Sequence, residues 1–116
     1  MDKSRIFDVV NQRIVIGTIS AENLVGKYGS PLFVYLASSI RQRINILKDA
    51  IKYPRLQVSF ALRANSSLAI LRLLYKEGAV VTAASSGEVM TAFKAGFSPH
   101  HILAIADLLT DSEIEF

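Results

Sequence analysis

Arg63 is the residue whose type and position most invite a chemical reading. It sits in the run Ser59-Phe60-Ala61-Leu62-Arg63-Ala64-Asn65-Ser66-Ser67. That run reads as a buried strand passing into a polar turn. A helical pattern begins at once, with Leu68, Leu71, Leu74 and Tyr75 on one face. In strand-then-helix folds, ligands gather at the carboxyl ends of the strands. A guanidinium at such a point can hold a phosphate or carboxylate through paired hydrogen bonds. The blander reading of the same residue is a strand-end arginine that pairs with an acid such as Glu88 or is simply solvated.

Other reactive side chains are less suggestive. His100 and His101 are adjacent, so their side chains point in different directions and rarely share one metal ion. The chain has no cysteine and offers no third ligand at suitable spacing, so no metal site is expected. The pairs Ser66-Ser67 and Ser85-Ser86 have no histidine near them in sequence, which leaves serine-nucleophile chemistry unsupported. Zero cysteines also removes disulfides and thiol catalysis.

The elements that must position these residues can be read in chain order. Residues 7–10 and 13–16 are strand-like runs around Asn11-Gln12, a hairpin closed by Gly17. Ser20 is placed to cap a helix over 21–28, which Gly29-Ser30-Pro31 stops. Residues 32–35 read as a strand. Ser38 or Ser39 can cap the next helix, whose Ile40, Ile44, Leu47 and Ile51 recur at helical spacing and which Pro54 ends. Residues 57–62 form the next strand. Ser67 then caps a helix to Glu77, with Gly78 as a left-handed stop. Residues 79–83 are a strand, followed by a helix capped by Ser86 and stopped by Gly96. Residues 102–106 are a further strand, and Thr110 opens a helix whose early acids suit its dipole. Strands alternating with helices argue for an α/β fold of parallel β/α units.

The 116 residues suffice for one small core, and 51% of them are hydrophobic, which argues against disorder. Uninterrupted apolar runs such as 102–106 are far too short to span a bilayer, and no signal peptide is evident, so a cytoplasmic setting and no membrane partner are expected. The net charge of +3 is uneven. Residues 1–58 hold nine Lys/Arg against four Asp/Glu, whereas residues 59–116 hold four against six. The basic residues are scattered. Arg41, Arg43, Lys48 and Lys52 read as a solvated helix face, so no nucleic-acid partner is expected.

The run Phe60-Ala61-Leu62-Arg63-Ala64-Asn65-Ser66-Ser67-Leu68-Ala69-Ile70-Leu71 resembles the cofactor-lysine segment of the diaminopimelate decarboxylases, which belong to the pyridoxal-phosphate barrel decarboxylases. The pattern in that family is roughly Tyr-Ala-Val-Lys-Ala-Asn followed by Ala-Ile-Leu. The resemblance extends along the chain. It includes residues 22–35, then Leu73-Leu74-Tyr75-Lys76-Glu77-Gly78, Ser85-Ser86-Gly87-Glu88-Val89, Lys94-Ala95-Gly96-Phe97-Ser98-Pro99, and Thr110-Asp111-Ser112-Glu113-Ile114. No single piece is specific, but together they follow family order and spacing.

The resemblance implies a partial pyridoxal-phosphate-binding (β/α) barrel of about three parallel β/α units, preceded by a short β-hairpin and helix. The expected layout is one incomplete domain, with residues 1–35 as hairpin, helix and strand and residues 36–116 as the first barrel units. The family reaction is decarboxylation of meso-diaminopimelate to lysine. Arg63 occupies the position of the family's Schiff-base lysine, and arginine keeps the charge and the length but not the reactive amine. The resemblance therefore implies pyridoxal phosphate as the family cofactor, no catalytic residue here, and no covalent attachment. It marks Arg63, Asn65, Ser85 and Glu88 as the cofactor-facing candidates, while capping and turn roles explain Ser86 and Gly87 equally well. Three other positions depart from the pattern: Leu36 after Tyr35, Thr82 in its strand, and Ala106-Asp107-Leu108-Leu109 after the third strand.

The expected function is that of a truncated or degenerate decarboxylase, inactive alone. The alternative is a non-catalytic interaction module that pairs with itself or with a related full-length chain. Two further readings are an enzyme assembled from two chains with Lys94 as a substitute amine, and a small α/β protein that has lost the ancestral role.

Overall fold

The computed structural model describes residues 6–105 and 110–115. The chain divides into two compact units, Met1–Ile40 and Arg41–Phe116.

In the first unit, β1 (Phe7–Val10) and β2 (Arg13–Ile16) pair antiparallel around Asn11 and Gln12. Both of these residues have positive φ, the geometry of a two-residue hairpin turn whose twist matches its strands. The hairpin lies where expected. A third strand, β3 (Ile19–Ser20), was not expected, and it pairs with β2 to complete a β1-β2-β3 sheet. Two residues are too few to show an alternation in the sequence. Ser20 then caps α1 (Ala21–Tyr28), its Oγ accepting the Asn23 N–H at 3.2 Å. The expected strand at 32–35 is a correction, because these residues form no regular element. Aromatic and branched residues favour strands only where a neighbour pairs with them. Among the described residues no strand pairs with this segment, and Phe33 is 85% exposed.

Helix α2 (Ala37–Ala50) starts before both serines expected to cap it, so Ser38 and Ser39 lie in its first turn. Its buried contact is Ile44. It ends four residues ahead of Pro54, as the steric bias against helix before proline favours.

The second unit contains a parallel sheet in the order β4-β5-β6, formed by β4 (Ser59–Ala61), β5 (Val80–Ala83) and β6 (Ile102–Ala104). The observed β4 is shorter than the expected 57–62, because Leu62 already opens a 3-10 turn, Leu62–Ala64. Helix α3 (Leu68–Lys76) joins β4 to β5, and α4 (Ser86–Ala95) joins β5 to β6 through the 3-10 turn Pro99–His101. Gly78 and Gly96 have φ of +71° and +108°, the left-handed stops that only glycine adopts without strain. Helix α5 (Asp111–Ile114) follows. Its Ile114 N–H bonds to the Thr110 carbonyl at 3.1 Å, which places its start as expected.

Pairing register sets the two sheet faces. Phe60, Val81 and Ile102 are aligned, as are Ala61, Thr82 and Leu103. The first row belongs to the core. Val81 and Ala83 are buried there together with Leu62, with Leu71 and Leu74 of α3, with Ala92 and Ala95 of α4, and with Phe97. The second row, with Ser59 and Val80, is buried nowhere along its length. On that side Leu103 is 55% exposed, and Ile105, one step on, is 53% exposed. Parallel sheets ordinarily have both faces covered. Among the described residues this one is covered on one face only.

The basic face of α2 is less solvated than expected. Arg41 donates to Glu77 Oε1 at 2.9 Å, and Lys48 donates to the Glu77 carbonyl at 2.6 Å. The two cations anchor the end of α3, while Arg43 is exposed and Lys52 pairs loosely with Asp49 at 3.6 Å. Half-exposed pairs of this kind contribute up to about 1 kcal/mol.

Candidate functional site

Because β4 and β5 are adjacent and parallel, the segments that follow them leave the same edge of the sheet. Four of the expected site residues lie there: Arg63 and Asn65 after β4, and Ser85 and Glu88 after β5. Three of the four are engaged in local backbone work. The Asn65 side-chain oxygen accepts the Ser67 N–H at 2.9 Å, an Asx-type turn that starts α3. Ser67 is the N-cap residue of α3 as expected, but its hydroxyl makes no capping bond.

Ser85, and not Ser86, is the N-cap of α4. It is extended, and its Oγ accepts the Glu88 N–H at 3.2 Å. Glu88 reaches back so that Oε2 accepts the Ala84 N–H at 2.6 Å. The pair satisfies one first-turn amide of the helix, that of Glu88, and the loop amide of Ala84 just before the cap. Replacing Glu88 with alanine is expected to cost about 1 kcal/mol in urea unfolding, with Glu88→Gln costing less because it keeps an acceptor.

Arg63 is different. It is exposed on the 3-10 turn, and it makes no hydrogen bond or ion pair with any described residue. The pairing with Glu88 considered from sequence does not form, because the Glu88 carboxylate is turned toward Ala84.

Three lysines of this unit, Lys48, Lys76 and Lys94, lie toward the other end of the sheet. Lys76 and Lys94 are in the last turns of α3 and α4, and Lys48 is in the last turn of α2, bonded to the residue that precedes Gly78 and β5. Lys94 is exposed, about 12 Å along its helix from Ser86. It is therefore not placed to substitute for an amine at the carboxyl ends of the strands. Thr82 lies on the open face, where its hydroxyl and that of Ser59 are 2.6 Å apart.

A cleft of about 300 Å³ lies at the amino ends, lined by residues that include Gln57, Ser59, Val80, His100 and His101. Sequence reasoning did not find it, since its walls come from three separate strand starts. It lies opposite the end where strand-helix folds bind ligands. His101 is occupied there, with Nδ1 2.9 Å from Ser98 Oγ and its ring edge-on to Tyr75. No group of three potential metal ligands occurs among the described residues. No described helix is long and apolar enough to cross a membrane. The expected departure at Ala106-Asp107-Leu108-Leu109 lies outside the described residues, and the strand expected over 102–106 is shorter than that, ending at Ala104 with Ile105 in no regular element.

Comparison with known proteins agrees with this architecture. Residues 37–116 match the family described as "Pyridoxal-dependent decarboxylase, pyridoxal binding domain". The chain is 39% identical over 105 residues to a diaminopimelate decarboxylase of Methanothermobacter thermautotrophicus, covering 89% of this chain and 24% of the relative. It is 40% identical over 89 residues to that of Bacillus subtilis, covering 75% and 20%. A crystal structure of diaminopimelate decarboxylase from M. jannaschii superposes with a TM-score of 0.89 at 26% identity, over 99% of this chain and 28% of that one. The chain thus spans about a quarter of the length of these relatives. Matching sequence, a parallel sheet with helices and a preceding antiparallel hairpin place the chain in the pyridoxal-dependent decarboxylase family, where it corresponds to the N-terminal region of the diaminopimelate decarboxylases.

Proposed function

We propose that this chain forms the first β/α units of a diaminopimelate decarboxylase-like barrel, with those units in residues 36–116, and that it does not decarboxylate amino acids by itself. The observation that carries this reading is the distribution of basic groups along the sheet. Bound pyridoxal phosphate supplies an electron sink for carbon dioxide loss, and the protein holds its aldehyde through a lysine amine. The residues at the carboxyl ends of β4 and β5 do not fit that role. The one cation on these two segments is Arg63, and a guanidinium is protonated and delocalised, so it is no nucleophile. The cofactor is accordingly not covalently attached in this chain.

The second part of the reading is structural. A (β/α) barrel closes with eight strands over about 250 residues, and the parallel sheet here has three. The purified 116-residue chain, supplied with pyridoxal phosphate and meso-diaminopimelate, is expected to release carbon dioxide at the rate of the protein-free control. Release above that rate that depends on the protein would overturn the proposal.

The alternative is an interaction module, favoured by the open side of the β4-β5-β6 sheet and by its two edges, which no strand among the described residues pairs with. Under this reading the chain pairs with itself or with a longer decarboxylase. Light scattering over a range of concentrations tests the first case, since a monomer throughout would remove self-pairing.

A further inference from the structure

We draw no further inference here: the strongest candidate, the open face of the β4-β5-β6 sheet around Leu103 and Ile105, is an apolar face without a partner among the described residues, and nothing in the structure shows what covers it.

Discussion

Val81→Asp is expected to unfold the Arg41–Phe116 unit. Val81 is fully buried in the central strand β5, on the face covered by helices. An aspartate there must either bury a charge or stay protonated with its polar atoms buried, and each route costs several kcal/mol. Domains of this size are stable by about 5–10 kcal/mol in total, so a loss of about 5 kcal/mol removes most or all of the margin. The next residue provides the control. Thr82 faces the open side and shares a hydrogen bond with Ser59, whose hydroxyl can equally donate to a carboxylate. Thr82→Asp is expected to cost about 1 kcal/mol. Urea unfolding followed by circular dichroism would measure both. Equal losses at positions 81 and 82 would refute the assignment of one covered and one open sheet face.

Leu71→Ala is expected to cost about 3 kcal/mol, within the usual range for deleting a buried leucine side chain. Leu71 has no exposed surface, and α3 brings it into the core with Leu74 beneath the sheet. The cost has two parts, lost transfer of apolar surface from water and a cavity that rigid strands cannot collapse. One turn earlier, Leu68 is 36% exposed, and Leu68→Ala is expected to cost under about 1 kcal/mol. The same urea titration separates them. A loss at Leu68 as large as that at Leu71 would mean that α3 is rotated from the described packing.

The contrast between these pairs also shows which features could be read from the chain. The hairpin at 7–10 and 13–16 was legible because alternating apolar residues flank two residues that can take positive φ. Helices α1, α3 and α4 were legible because apolar spacing, a serine at or beside the helix start and a terminal glycine or glycine-proline signal coincide. The errors occur where a short-range signal meets a choice between equivalent neighbours. Ser85 and Ser86 are chemically identical as caps. The capping box with Glu88 works from Ser85 because the acid then sits three residues on. Ser38 and Ser39 lost the capping role because α2 begins at Ala37, ahead of both. The run at 32–35 has strand-forming residues and no paired neighbour among the described residues, so propensity misled.

The site divides along the same line. Arg63 at a strand end, Asn65 in the turn and Ser85 with Glu88 at a helix start were all placed by local sequence. Whether Arg63 pairs with Glu88 was not, since that depends on the competing Ala84 N–H, a contact set by the loop after β5.

By itself, the sequence determined the family resemblance, the β/α alternation and the presence of a guanidinium just after a strand, since these depend on residue type and spacing along one dimension. Only the tertiary structure decided which side of the sheet is buried, that Glu88 bonds to the Ala84 N–H, that Lys48 and Arg41 clamp the end of α3, and that Lys48, Lys76 and Lys94 lie toward the opposite end from Arg63. Those outcomes follow from parallel pairing register and from helices running back against their strands, which bring together or separate residues according to distance in space and not distance along the chain.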